Sequence, residues 1–389
     1  MNSLYYIKQT ALREWYRMLH HPVYLWSIIL PPLFCIIIFT SLMNAGLPTK
    51  LPAGAVDEDD SPMSRHILHT LDAFEYTHVI AHYPTFSEAR KAVQRGEIYG
   101  FYYLPKGTER QVLTGRQPTT SFYINYSYLV AASLLYEDMR TISELANGTI
   151  KETQLYAHGA LPWETIPRLQ PIVINTHPLG NPWLNYSVYL NNTILPGVLM
   201  LMIFLITIYS IGSEVKEKTA NNWLQGANNH ILPALIGKLL PQTALFTLMA
   251  WGCMVWLYCW LKFPCQCGIS TMLFTSVLMV VAAQGFGIFL YSLFPWMRFA
   301  MSVASLWGVI SFSISGFTFP TMAMNPSLQA LGYLFPLRHY YLIYVNNALN
   351  GYDISYAALP YICLLIFTLL PLPMMKRFHN AVTQYKYIE

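Results

Sequence analysis

A short polar stretch, residues 212–230, concentrates charged side chains between two long apolar runs. Its charged residues fall within five consecutive positions and are Glu214, Lys216, Glu217 and Lys218. Side chains of mixed charge orient one protein surface on another, and the neighbouring Trp223 is the kind of aromatic anchor on which interfaces depend. Because hydrocarbon cannot receive such a stretch, it is either a solvated connector or a surface that docks another protein.

Motifs for catalysis and nucleotide binding are missing from the sequence. There is no GxxxxGK[ST] phosphate loop, no HExxH and no GxSxG. His66 and His69 share a predicted helix face, and Cys265 and Cys267 are the one close cysteine pair, but each pair has too few ligands for a zinc site. The sequence therefore predicts no metal site, no cofactor bound by this chain and no enzyme active site.

The composition indicates a membrane protein. Apolar residues make up 54% of the chain and charged residues 11%, whereas a soluble domain carries roughly 25% charged residues. Most of the acidic residues fall between positions 45 and 185, so the net charge of +4 averages two unlike regions. No concentrated basic face is present, which argues against a nucleic-acid partner.

Several apolar runs are long enough, or nearly so, to cross about 30 Å of hydrocarbon. They are residues 23–43, 188–211, 239–261, 269–294, 299–319 and 354–374. None contains Asp, Glu, Lys, Arg or His, and ion-coupled carriers usually keep such groups at the membrane midplane. A transporter built on these spans would need energy from elsewhere, and its possible substrate path would use uncharged groups: Asn192, Gln242 and Gln284.

Two regions flank the first span. Residues 1–22 combine an apolar helical stripe with a basic opposite face, which predicts a helix in the membrane interface, with a helix packed on protein as the alternative. Residues 45–187 read as an α/β domain. Its expected strands are 53–56, 76–83, 98–104 and 121–126, with a possible strand at 171–175; its expected helices are 63–71, 85–93 and 129–156, the second opened by a Thr85–Glu88 capping box.

The distribution of basic residues predicts the orientation. On one side of the membrane the short segments would hold Lys8, Arg13, Arg17, Lys216, Lys218, Lys238, Arg298, Lys376, Arg377 and Lys386. On the other side they would hold only Lys262 and Arg338. The excess predicts that both termini are cytoplasmic and that residues 45–187 are extracytoplasmic. Residues 320–353 are apolar but broken by prolines, which favours a re-entrant helical element over a plain outer loop.

In their order and spacing, several motifs resemble those of the ABC type 2 permease family. They are Ala55–Arg65, Ser87–Arg90 and Gly96–Gly100 in the α/β domain; Glu214, Lys216, Thr219, Trp223, Gly237, Lys238 and Pro241; and Ser315, Gly316, Phe319, Pro320, Met324, Pro326, Pro336 and His339. The resemblance implies an α-helical polytopic fold with six spans. Its expected divisions are an interfacial helix (1–22), span 1 (23–44), the α/β domain (45–187), spans 2–6 (188–376) and a cytoplasmic tail (377–389).

The resemblance also implies a bacterial inner membrane as the location, and it implies partners. An ABC ATPase that binds ATP and Mg²⁺ would dock on the cytoplasmic loop 212–238 through Glu214, Lys216, Glu217, Thr219 and Trp223. An outer gate would use Gly316, Pro320, Pro326, Pro336 and His339. A second permease, identical or paralogous, would complete the transporter, with membrane lipid around it and a periplasmic adaptor as a further partner. Lys218 stands where many members have glycine, which predicts a coupling helix without the usual break. The alternative is a membrane-anchored assembly protein whose outer domain recruits partners without transport.

Overall fold

The computed structural model describes residues 3–384, in which helices predominate and one small sheet is present. Lys386, counted above for the orientation, and the rest of the tail from residue 385 lie outside the described residues, as do residues 1 and 2. The chain divides into two compact units. One is the α/β unit, Leu47–His177; the other is the helical unit, formed by the residues up to Gly46 and those from Pro178 onward.

The helices and strands are numbered in the order in which they occur along the chain. The helices are α1 (Ser3–His20), α2 (Pro22–Leu42), α3 (Pro62–Asp72), α4 (Phe86–Gln94), α5 (Thr108–Leu113), α6 (Leu129–Ala157), α7 (Pro162–Leu169), α8 (Tyr186–Lys216), α9 (Ala220–Gln225), α10 (Ile231–Val255), α11 (Ile269–Leu293), α12 (Met297–Ile314), α13 (Pro326–Gly332), α14 (Pro336–Ile343), α15 (Ala358–Leu369) and α16 (Met375–Thr383). The strands are β1 (Leu51–Asp57), β2 (Thr77–His82), β3 (Gly100–Leu104) and β4 (Ser121–Ile124). Short 3-10 turns at Thr321–Ala323, Ile354–Ala357 and Leu372–Met374 and π-helical turns at Trp256–Trp260 and Tyr344–Leu349 extend or join these helices.

Within the described residues, six helical segments are long and apolar enough to cross a membrane. They are Pro22–Leu42, Tyr186–Lys216, Ile231–Trp260, Ile269–Leu293, Met297–Ile314 and Ile354–Thr383. The predicted polytopic helical fold with six spans and an α/β domain is therefore confirmed. The last segment is interrupted near Pro371, since proline cannot donate the backbone hydrogen bond that continues a helix. The expected tail from residue 377 begins inside α16, whose Phe378 is buried.

The predicted apolar runs contain no Asp, Glu, Lys, Arg or His, but four of the six helical segments extend beyond these runs and include such residues. In two of the four, the added residue is a buried charge. α8 continues past the apolar run and includes Glu214 in its last turn, and α10 begins eight residues before the predicted span and includes Lys238. Both side chains are fully buried. An unpaired charge in such a place would be costly, so their partners, described below, explain why these helices tolerate them.

The α/β unit is a four-stranded sheet in the order β2-β1-β3-β4. β1 pairs in parallel with β2 and β3, and β4 is antiparallel to β3. Leu135 and Met139 of α6 are buried with Tyr102 in one cluster. A second cluster joins Ala89 of α4 to Phe101, which directly precedes Tyr102 in β3. Because neighbouring strand residues point to opposite faces, both faces of the sheet are covered, as expected of parallel strands.

Some of the local predictions for this unit are confirmed and others are wrong. The capping box is formed at α3, where Ser61 and Ser64 exchange side-chain and backbone hydrogen bonds of 3.0 and 2.9 Å. At α4, only Thr85 accepts a bond, from Glu88 N, so the box predicted there lacks its second half. The possible strand at 171–175 is wrong, since these residues pair with no strand of the sheet.

Candidate functional site

The end of α8 is set by a turn centred on Lys218. This residue has a φ of 59°, in the left-handed region. Thr219 N donates to Glu214 O over 2.9 Å and Lys218 N donates to Val215 O over 3.2 Å, which is the double hydrogen bond of a Schellman motif. The expectation of an unbroken helix at this position is therefore wrong, because the lysine itself takes the conformation that glycine adopts without strain.

We expect Lys218→Gly to raise the stability of the helical unit by about 1 kcal/mol, because a left-handed conformation costs an L-residue roughly 1–2 kcal/mol. Thermal unfolding of the purified protein in detergent measures the change. Lys216→Gly, in the last turn of α8, is the matched control and should lower stability by about 0.5–1 kcal/mol. Equal destabilisation by both variants would contradict the assigned turn.

A second turn leads into α10. After the short helix α9, Asn228 and Asn229 have φ values of 52° and 61°, a conformation that asparagine tolerates better than most residues. Asn229 N donates to Leu224 O over 2.8 Å. The stretch predicted as a loop at 212–238 is thus a helix end, one short helix and a helix start.

Glu214 lies at the centre of a buried ion cluster. Arg13 donates to both of its carboxylate oxygens, over 2.8 and 3.0 Å. Lys238 Nζ lies 2.9 Å from Glu214 Oε1, and Arg17 contacts the same oxygen. Thr219 Oγ1 donates to Glu214 Oε2. All of these partners of the carboxylate lie inside the chain. Because Glu214 is also fully buried, its position does not support the expectation that it pairs with a partner protein.

Glu14 extends the cluster to a second carboxylate. Lys238 Nζ lies 2.6 Å from Glu14 Oε2, and Gln242 Nε2 donates to Glu14 Oε1 over 3.1 Å. Glu14 and Lys238 are both buried, with 1% and 0% of their side-chain surface exposed. The cluster joins α1, α8 and α10, and the pairing of both carboxylates with cations offsets the cost of burying each charge.

Arg17 connects this buried cluster to the surface. It donates to Ser213 Oγ over 3.2 Å and to Glu217 Oε2 over 2.7 Å. Burial alone would lower the pKa of Arg17, but Glu214 and the other neighbouring groups (Tyr24, Glu217 and Glu14) together outweigh burial, so the pKa is raised. Arg17 therefore stays charged, and the ion network continues from the interior to the exposed Glu217.

α1 presents two different faces. Its apolar residues Leu4, Leu12 and Leu19 are exposed, while Glu14 and Met18 are buried against the helical unit. α1 also approaches α10 closely: a Cβ built on Gly237 would lie 2.7 Å from Ile7 O. Part of the face that the sequence marks as charged therefore packs on protein, and the exposed leucines remain available to lipid.

Trp223 is fully buried, so the expectation that it forms an exposed interface anchor is wrong. Its Nε1 donates to Ala234 O over 3.1 Å, which ties α9 to the first turn of α10. Lys238 Nζ lies 5.2 Å from the ring centroid, within the range of a cation–π interaction. Trp223 thus holds the connection between α8 and α10 together from inside.

A polar surface remains exposed on this connection. We call it the loop surface and define it by Lys216, Glu217, Asn221, Asn222 and Gln225. Of the site residues expected there, Lys216 and Glu217 belong to it, whereas Thr219 is half-buried and bonded to Glu214. Sequence reasoning missed Arg13, Glu14 and Arg17 as members of the site; their signal was present only as a charged face on residues 1–22. Lys238 was expected as part of the family motif but not as a member of an ion cluster.

The three residues expected to line a substrate path lie at separate helix contacts. Asn192 Oδ1 accepts from Tyr258 over 2.8 Å. Gln284 Oε1 accepts from Thr243 over 2.7 Å, and Gln242 binds Glu14 as described above. All three side chains are buried. The structure therefore shows them joining helices, and a role in a path stays a prediction.

The expected outer gate contains two short helices. Pro326 and Pro336 are the first residues of α13 and α14, and Pro320 precedes a 3-10 turn. Gly316 has a φ of 107°, which a residue with a side chain rarely adopts. His339 is buried and its Nε2 lies 2.9 Å from Tyr333 O. The helical pair that the sequence favoured is present, while re-entry into the membrane stays a prediction.

Among residues 3–384 there is no group of three or more His, Cys, Asp or Glu side chains placed to hold a metal ion.

Comparison with known proteins gives one clear match. A family described as "ABC-2 family transporter protein" matches residues 22–374, which is most of the chain. No curated protein matches the sequence.

Proposed function

Because this chain belongs to the ABC-2 transporter family, we propose that it is the permease subunit of an ATP-driven exporter and works with a separate ATPase. The chain is a multi-pass membrane protein. Its sequence has no phosphate-binding loop, so ATP and Mg²⁺ would be bound by the partner chain. The spans would form the path for the exported molecule.

The buried ion cluster is the observation that carries the coupling proposal. Through Glu214 and Lys238 it fixes the ends of α8 and α10 to each other and to α1. Trp223 adds a second tie between α9 and α10. A connection held in this way moves as one body, so a push on the loop surface would be passed to two spans at once.

We also propose the orientation of the chain and its assembly. The excess of basic residues on one side supports cytoplasmic termini in a bacterial inner membrane and an extracytoplasmic α/β unit. A reporter fused at Gln225 that reads out as external would overturn this orientation. Two permease subunits, identical or paralogous, would form each transporter, and native mass spectrometry would count them. A periplasmic adaptor on the α/β unit is a further proposal, and cross-linking in cells would test it.

The experiment that tests coupling is co-purification of the permease with a co-expressed ABC ATPase from the same organism. Gln225→Trp places a bulky side chain on the loop surface, and overpacking of an interface costs typically 1–3 kcal/mol. We expect recovery of the ATPase to fall about tenfold, since 1.4 kcal/mol corresponds to that factor. The bound ATPase is measured by quantitative immunoblotting.

Gln154→Trp is the matched control, because Gln154 is also an exposed glutamine but lies on α6 of the α/β unit. It should leave ATPase recovery unchanged. Equal recovery with both variants would overturn docking at the loop surface. Failure of the unaltered permease to retain any ATPase would instead favour the assembly role without transport.

A further inference from the structure

Two cysteines face each other in the turn between α10 and α11. The turn runs from Cys265 to Gly268 and is closed by a 3.2 Å hydrogen bond from Gly268 N to Cys265 O. It brings the Sγ atoms of Cys265 and Cys267 to 4.0 Å. Both side chains are partly exposed. The sulfurs are therefore in contact and accessible to reagents, although no disulfide joins them.

The surroundings of the pair make the two sulfurs chemically different. The hydrogen-bond contact between the two thiols lowers the pKa of Cys267 to about 7 and raises that of Cys265. Cys267 also lies two residues before the start of α11, where the helix dipole favours a thiolate. Cys267 is thus the nucleophile of the pair, and Cys265 is placed to resolve a bond formed on it.

We propose that Cys265 and Cys267 are a redox-active pair that closes into a reversible internal disulfide by exchange with a protein or small-molecule disulfide. The Cys267 thiolate attacks one sulfur of the incoming disulfide and releases the other as a thiolate. Cys265 then loses its proton, attacks Cys267 Sγ and releases the second thiolate. The pair gives up two electrons and two protons, and the incoming disulfide becomes two thiols.

The turn is hydrogen-bonded to the π-helical turn Tyr344–Leu349. Gln266 N, between the two cysteines, donates to Ala348 O over 2.8 Å. At Gly351, a Cβ would lie 2.9 Å from Gln266 Cβ, so the two segments approach closely. Closing the disulfide would bring the sulfurs to about 2.05 Å and tighten the turn. The oxidation state would therefore act on the π-helical turn Tyr344–Leu349.

The proposed orientation would place this turn in the oxidising extracytoplasmic compartment, where disulfides persist. That statement depends on the proposed function, but the chemistry of the pair does not. Exchange on the purified protein therefore tests the inference even if the chain has the opposite orientation or another role.

The experiment equilibrates the detergent-purified protein with mixtures of reduced and oxidised glutathione, blocks free thiols with iodoacetamide and digests with trypsin. The peptide from Phe263 to Arg298 carries both cysteines and no other. We expect it to change from a doubly alkylated form to an unalkylated form, lighter by two hydrogens than the dithiol, as the glutathione becomes oxidised. Dithiothreitol should reverse the change.

Single variants test which sulfur is the nucleophile. At pH 7, Cys265→Ser should leave Cys267 reacting with iodoacetamide about tenfold faster than Cys265 reacts in Cys267→Ser, because thiolate content sets the rate. Two thiols that remain free at every glutathione ratio would overturn the proposal. So would equal reaction rates in the two variants. Stable retention of Cu⁺ by the pair, with protection from oxidation, would assign a soft-metal site instead and would also overturn it.

Discussion

Glu214→Gln lowers the unfolding temperature of the helical unit strongly, according to the contacts of this carboxylate. The change leaves Arg13, Arg17 and Lys238 around a neutral amide in a site where Glu214 is fully buried. Removing one partner of a buried ion pair costs about 3–5 kcal/mol, mainly because the remaining charges are left uncompensated. Thermal unfolding in detergent, followed by intrinsic tryptophan fluorescence, measures the loss.

Glu217→Gln is the matched control for this effect. Glu217 lies three residues further along, also contacts Arg17 and is 41% exposed. Water screens such a pair, so its loss should cost less than about 1 kcal/mol. Similar losses for the two variants would contradict the central position of Glu214.

A rescue experiment tests the cluster as a unit. Lys238→Met alone leaves Glu14 without its cation. Adding Glu14→Gln removes that charge, so the double variant should be more stable than Lys238→Met, by about 1–3 kcal/mol for groups in direct contact. Additive losses would show that Glu14 and Lys238 act independently.

Trp223→Ala has the second large expected effect. Because Trp223 is buried, we expect this variant to lose stability rather than only the binding of a partner. An exposed anchor could be removed without harm to the fold, which would uncouple a partner while leaving the permease intact. Trp223 is instead completely buried and bonded to Ala234. Loss of a buried tryptophan side chain costs about 3–5 kcal/mol, so we expect destabilisation of the helical unit in the same thermal assay.

Trp26→Ala controls for the loss of a tryptophan. Trp26 lies on α2 of the same unit and is 62% exposed. Its replacement should change stability by about 0.5 kcal/mol or less, as is usual for surface positions. Trp223→Phe should fall between the two, since it retains a ring but loses the hydrogen bond to Ala234 O. A Trp223→Ala protein as stable as Trp26→Ala would contradict the burial of Trp223.

The sequence was a good guide to elements that depend on local pattern. Six uninterrupted apolar runs predicted six spans because length and hydrophobicity alone determine which segments can cross a membrane. Ser61 followed by Pro62 likewise predicted the start of α3, since both residues favour a helix N-terminus. These signals are complete within a few residues of the chain.

The ion cluster could not be predicted in the same way. Glu14 and Lys238 are far apart in sequence yet joined by a 2.6 Å contact. Read alone, each charge argues against a membrane-spanning helix, so Glu214 and Lys238 were assigned to a loop. Only the pairing removes the cost, and no local pattern reveals a partner more than two hundred residues away.

Two predictions of backbone conformation were wrong, and each has a physical reason. Lys218 adopts a left-handed conformation that residue type disfavours, because the two hydrogen bonds of the turn outweigh the strain. Residues 171–175 have the composition of a strand, but β-propensity reflects packing against neighbours and is weak evidence where no neighbour is present. In both cases the outcome depends on contacts that composition does not contain.

The attachment of α1 to α8 and α10 has a consequence for how the protein is made. α1 is synthesised before α8 and α10, yet its Glu14 contacts Lys238, a residue added more than two hundred positions later. At about 5–20 residues per second, Arg13, Glu14 and Arg17 wait on the order of 10–40 s before their partners are synthesised. We therefore expect these charges of α1 to stay hydrated until α8 and α10, which carry their partners, have been synthesised.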